Sequence, residues 1–242
     1  MSKVRMDLSA FLVLGGVLPE RPQQVPRVSP DEITRKMRLD YLYSQRDLNQ
    51  KALEGVQALL AHLLKTDFNL DEFMNDMINM IRRRLWIREV TVALLDRREG
   101  LFRYRYQAGL RREAWEAHLE LAYRREEYLN PGVYKAREIS KQTTLFLAED
   151  NPYGEGEDRT FNRPIMLESR RLSLEDAIEG DYFDSWILGR DREVIGWVEY
   201  GGTTAGKFPD TVTLRWIEMA STIAGVAVML SESRGARPRA AP

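Results

Sequence analysis

The chain has 242 residues, enough for one ordinary domain and an appendage, and 43% of them are apolar, enough for a sizeable core. Thirty-six basic and 37 acidic side chains leave a formal charge of −1, so no electrostatic excess points to nucleic acid and no such partner is expected. The absence of cysteine excludes disulfides, thiolate metal sites and cysteine nucleophiles, and it fits a reducing cytoplasm; His62 and His118, without an H-E-x-x-H spacing, argue against a histidine-based metal centre.

The run Leu8–Leu18 (LSAFLVLGGVL) is too short to span a bilayer, and no small-residue cleavage site follows it. It reads as a short strand or helix that docks on the body or on a partner, and no membrane association is expected. Residues 1–30 form an N-terminal segment and linker. At Ser29-Pro30-Asp31-Glu32 a cap, a proline at the first helical position and a capping-box glutamate announce a helix. Ile33, Met37, Tyr41, Leu48, Ala52, Val56, Leu59 and Leu63 then recur mostly every fourth residue. One long amphipathic helix over 31–66 follows, its stripe buried either on the next domain or in a parallel helix pair between protomers.

Asn69-Leu70-Asp71-Glu72 starts a second helix with Phe73, Met77, Ile81 and Leu85 inward, its methionines serving as core filler. Period-two alternation in Val90–Leu95, and again in Phe102, Tyr104, Tyr106 and Ala108 across Gly100, predicts an antiparallel hairpin. Arg111–Leu129 reads as a helix with Trp115, Leu119 and Ala122 on one side. Residues 134–178 are irregular, with a strand over Ile139–Leu147, a polar loop at Asn151–Asp158 and a helical turn at Leu172–Ile178, a composition that suits a binding loop or lid. Tyr182–Leu188 and Val194–Tyr200 form a second hairpin, apolar on both faces and therefore central. A last helix runs from about Asp210 to Ser231, and 233–242 form a disordered tail.

Gly201, Gly206 and Lys207 stand at the G-x-x-x-x-G-K spacing of a phosphate-binding loop. The magnesium-binding hydroxyl position is Phe208, however, and Pro209 lacks an N–H; the preceding strand also belongs to a hairpin rather than a parallel strand–loop–helix unit. A nucleotide-binding enzyme using this loop is the least favoured reading. A weaker role survives, in which Lys207 contacts an anion.

The order helix, hairpin, helix, irregular segment, hairpin, helix resembles a GAF domain over 67–232. The likeness is carried by VTVALLD with Gly100 and Gly109, by GDYFDSWILGRDREVIG, and by the closing helix LRWIEMASTIAGVAV. The resemblance implies an α+β fold of GAF/PAS-like type: an antiparallel sheet with helices on one face, preceded by the long helix, and a pocket under loops on the other face. The cysteines that anchor bilins in related members are absent, as is the N-K-[FY]-D-E motif of cyclic-nucleotide-binding members, so no covalent bilin and no metal are expected and the ligand is unknown. Within that frame Tyr134, Arg137, Trp186 and Tyr200 are candidate ligand contacts. No catalytic set emerges from the spacing. The expected function is a non-enzymatic sensor or regulator, acting as a homodimer through its N-terminal and C-terminal helices and binding a small molecule or a signalling protein. The alternative is a purely structural dimerisation module with a filled pocket.

Overall fold

The computed structural model describes residues 35, 47–130, 132–151 and 157–235. The chain divides into Met1–Gln45 and Arg46–Pro242, and the second unit carries the fold below. Helix α1, Leu48–Leu63, begins where Asp47, itself in extended backbone, accepts the Gln50 amide at 2.8 Å. That cap satisfies a first-turn N–H and marks a start, so the single helix expected over 31–66 does not run through Asp47. Apart from Arg35, which is helical, the part of that expectation before Asp47 lies outside the described residues, as does the reading of Leu8–Leu18. Helix α2, Leu70–Arg84, follows its signal closely: Asn69 Oδ1 accepts the amides of Asp71 and Glu72, acids fill the first turn and arginines the last.

Strands β1 (Val90–Asp96) and β2 (Leu101–Ala108) form the first predicted hairpin. Helix α3 (Arg112–Glu120), strand β3 (Ala122–Arg124) and the single turn α4 (Arg125–Tyr128) follow. The helix expected over 111–129 therefore stops early. Tyr123 pairs with Phe102 and adds a strand to the exposed edge of β2, and the buried face of α3 is Ala114, Ala117 and His118 rather than Trp115 and Leu119. Strands β4 (Ala136–Glu138) and β5 (Thr143–Phe146) replace the longer strand expected over 139–147, because Ser140 Oγ gathers the amides of Gln142 and Thr143 into a turn. No helix forms at 172–178. Asp176 accepts the amides of Leu172 and Ser173 there and closes a tight turn. Strands β6 (Tyr182–Leu188) and β7 (Val194–Tyr200) form the second hairpin, and helix α5 (Thr211–Gly235) is capped by Asp210, which accepts the Thr213 amide at 2.7 Å. It runs past the predicted end and takes in the first residues of the expected tail; the rest of that tail lies outside the described residues.

Strand β1 pairs antiparallel with β7, which joins both hairpins in one seven-stranded sheet of order β3-β2-β1-β7-β6-β5-β4. Helices α1, α2 and α5 bury Val56, Leu59, Phe73, Met77, Ile217 and Ala224 against one face. Helix α5 is long and apolar enough to cross a membrane, yet half of its most apolar stretch is buried inside the fold, which accounts for that composition. The other face carries an aromatic cluster around Trp197, with Phe102, Tyr104 and Tyr128.

One irregularity decides which tyrosine faces where. Alternation places Tyr104 and Tyr106 on one side of β2. In the register, Val92 opposes Tyr106 and Ala93 opposes Tyr104, so Arg105 is an extra residue in the strand. This bulge flips the alternation. Tyr106 then faces the helices, its hydroxyl donating to Asp71 Oδ1 at 2.6 Å, whereas Tyr104 joins the aromatic cluster on the opposite face.

Candidate functional site

The aromatic face and the irregular segment line a half-open cavity of about 160 Å³. Six tyrosines line it: Tyr104 from β2, Tyr123 from β3, Tyr128 from α4, Tyr134 from the loop after it, Tyr182 from β6 and Tyr200 from β7. Tyr123 is central, with ring centroids 4.8 Å from Tyr128, 6.3 Å from Tyr104 and 6.4 Å from Tyr134. Trp197 backs them, stacked on Tyr128 at 4.1 Å and 6°.

Glu199 supplies the polar end of the cavity. It is the single charged residue in β7, and strand alternation points it away from the helices. Tyr104 donates its hydroxyl to Glu199 Oε2 at 2.5 Å, and Thr91 donates to Oε1 at 3.3 Å. His118 Nε2 stands 3.7 Å from Oε1, while its Nδ1 lies 2.8 Å from the carbonyl oxygen of Ala114. The Ala114 carbonyl only accepts, so Nδ1 carries a proton and donates to it. Burial opposes a charge on the ring, but the Glu199 carboxylate and the Ala114 carbonyl outweigh it and raise the His118 pKa.

Asp184 lies directly across the β6–β7 pairing from Glu199. It is fully buried, accepts from the Tyr128 hydroxyl at 2.6 Å through Oδ2, and leaves Oδ1 without a partner. Burial, reinforced by the facing Glu199 carboxylate, pushes the Asp184 carboxyl well above the usual carboxylate range. A carboxyl whose pKa rises on folding holds its proton more tightly in the native state. Its contribution to stability is complete below the unfolded value of about 3.9 and is lost as pH rises through the folded value. Thermal unfolding of Asp184→Asn against the parent is therefore expected to show a difference in melting temperature that moves in favour of the variant as pH rises from about 4 towards neutrality and beyond. A difference independent of pH would refute the protonated carboxyl.

Arg88, Glu89, Glu179 and Asp181 also line the cavity, and each carboxylate is paired: Arg88 holds Glu89 at 2.8 Å, while Arg163 and Arg171, outside the lining, hold Glu179 and Asp181, each at 2.9 Å. Of the sequence-predicted contacts, Tyr134 lines the cavity. Tyr200 borders it, but its ring stacks on Phe183 in the helix-side core. Trp186 belongs to the aromatic cluster behind the wall and does not line the cavity. Arg137 is exposed on the edge strand β4 and paired with Asp150 at 2.5 Å, away from the cavity. Sequence reasoning missed Glu199, His118, Tyr104, Tyr123 and Tyr128. A usable signal existed: Asp184 and Glu199 are the solitary charged residues in two largely apolar strands.

The Gly201–Lys207 loop is no phosphate cradle. The amides of Gly201, Thr203, Thr204, Gly206 and Lys207 all donate to acceptors within the chain. Lys207 Nζ donates to Asp176 Oδ1 at 2.6 Å, so the proposed anion contact already has a carboxylate partner.

No protein-family profile matches the chain, and a search of curated proteins finds no match. Solved structures do resemble it. The GAF domain of a phosphoenolpyruvate-protein phosphotransferase from Coxiella burnetii aligns with a TM-score of 0.50 and 13% identity, covering 77% of this chain and 98% of that one. The equivalent domain from Acinetobacter aligns with a TM-score of 0.49 and 12% identity, over 78% and 97%. The chain has a GAF-like α+β fold.

Proposed function

We infer that this chain is a cytoplasmic, non-enzymatic sensory or regulatory module that binds a small molecule in the tyrosine-walled cavity and transmits occupancy to its helices. One observation carries the reading: β7 places Glu199 in the cavity and the next residue, Tyr200, at the head of a buried polar chain leading to α5. The Tyr200 hydroxyl lies 3.0 Å from Ser185 Oγ, Ser185 Oγ lies 2.9 Å from Thr143 Oγ1, and Thr143 donates to Glu218 Oε1 at 2.9 Å. Ser140 donates to the same Glu218 oxygen. A shift of β7 by a ligand thus changes hydrogen bonds on the output helix, which is the differential contact that coupling requires. Native mass spectrometry of freshly purified protein tests the reading. A retained small molecule, or saturable one-to-one binding in a metabolite screen, supports it. The bare chain mass with no binding supports a purely structural module instead.

The transmitting unit in this reading is a homodimer. Helices α1 and α5 lie side by side: Trp216 Nε1 donates to Asn49 Oδ1 near their starts, and Arg234 reaches the carbonyls of Lys65 and Thr66 near their ends. Each exposes large apolar groups seven residues apart, Leu53 and Leu60 on α1 and Val212, Met219 and Val226 on α5. A seven-residue apolar stripe on a parallel helix pair suits a second copy of the same surface. The double variant Leu60→Glu, Met219→Glu is expected to sediment as a monomer at micromolar concentration, with the parent a dimer. A monomeric parent contradicts the dimer.

A further inference from the structure

Resting on the reading of the cavity as a ligand site, we propose that its ligand is a small organic ammonium ion, seated between the tyrosine rings with its N–H groups on Glu199. Three observations converge. The lining is rich in tyrosine, a ring whose quadrupole attracts cations, and Tyr123 meets three further tyrosines. The polar end is a carboxylate: Glu199 accepts one hydroxyl on each oxygen, and His118 stands at 3.7 Å, beyond hydrogen-bond distance, so Oε1 keeps acceptor capacity for a ligand N–H. Among the described residues, the one guanidinium lining the cavity, Arg88, is already committed to the Glu89 carboxylate.

The electrostatics of the walls agree. Burial raises the Tyr104 and Tyr123 phenols first, which disfavours charge of either sign, and the Glu199 carboxylate raises them further, which disfavours negative charge alone. Size sets the other bound. A volume of about 160 Å³ is close to that of engineered cavities that hold benzene, which admits one ring or a short alkyl chain with its amine.

Titration calorimetry with three probes of one size and different charge tests the proposal: benzylamine, benzyl alcohol and benzoate. Benzylamine is expected to bind at least about tenfold more tightly than benzyl alcohol, and benzoate not at all. Glu199→Gln is expected to weaken benzylamine by about tenfold and to leave benzyl alcohol unchanged. Tyr123→Leu, which keeps Glu199, is expected to weaken benzylamine more than benzyl alcohol, and it decides the matter should Glu199→Gln fail to fold. Benzyl alcohol or benzoate binding as tightly as benzylamine would overturn the ammonium assignment and leave the sensor reading intact. Failure of all three probes, together with a bare chain mass in native mass spectrometry, would overturn both.

Discussion

Trp197→Ala is expected to cost about 3–5 kcal/mol of folding stability, at the upper end of what a single core truncation removes. Trp197 is fully buried at the centre of β7, stacked on Tyr128 and in ring contact with Phe102, Tyr104, Tyr123 and Trp186. Removing it opens a void that the paired strands on both sides of β7 prevent from collapsing. Whole-domain stability is typically about 5–15 kcal/mol, so the loss lowers the melting temperature by roughly 10 °C or leaves the chain unfolded. Trp197→Phe keeps a ring in place and is expected to lose clearly less. Denaturant unfolding of both variants checks this. A Trp197→Ala protein within about 1 kcal/mol of the parent would show that the aromatic cluster is not part of the core.

Gly225→Ala carries a sign that two physical effects dispute. In an unhindered helix the change gains about 1 kcal/mol, because alanine is the better helix former. Here α5 crosses β6 closely, and a Cβ at position 225 would run into the carbonyl oxygen of Leu188. Backbone cannot yield as a flexible side chain can, so α5 must lift from the sheet, an overpacking cost of about 1–3 kcal/mol. The clash should win, and the variant is expected to be less stable than the parent while remaining helical by circular dichroism. Because α5 is also the proposed output helix, the same variant is expected to weaken the coupling between the cavity and the helix surface. A stabilised Gly225→Ala would mean that α5 packs further from the sheet than its approach to Leu188 implies.

Much of this architecture is legible in the sequence, for definite reasons. Period-two alternation exposes both hairpins, since side chains on a strand alternate whatever surrounds it. Asn69 and Asp210 mark helix starts because a short polar side chain there has an unpaired amide to take. The features that build the cavity are less visible. The bulge at Arg105 adds one residue with no compositional mark, yet it turns Tyr104 towards Glu199 and Tyr106 towards Asp71. The three-residue strand Ala122–Arg124 is too short to show a period, and it alone brings Tyr123 to the wall. Arg137 misleads because an arginine on an edge strand and one in a pocket look alike in sequence; only the pairing with Asp150 separates them. The carboxylates Asp184 and Glu199 are the reverse case, conspicuous in apolar strands and informative once the strands are known to lie opposite.

If the protein works as a sensor, filling the cavity must alter α5 through β7. Amide hydrogen exchange reads this link at the helix itself, followed by mass spectrometry with and without saturating benzylamine or whatever small molecule the protein is found to retain. Slower exchange is expected in β7 and also in α5 around Glu218. The α5 response should be lost in Thr143→Val, which cuts the polar chain while leaving the cavity walls in place. Slowed exchange confined to the cavity loops and strands, with α5 unchanged, would contradict transmission through β7.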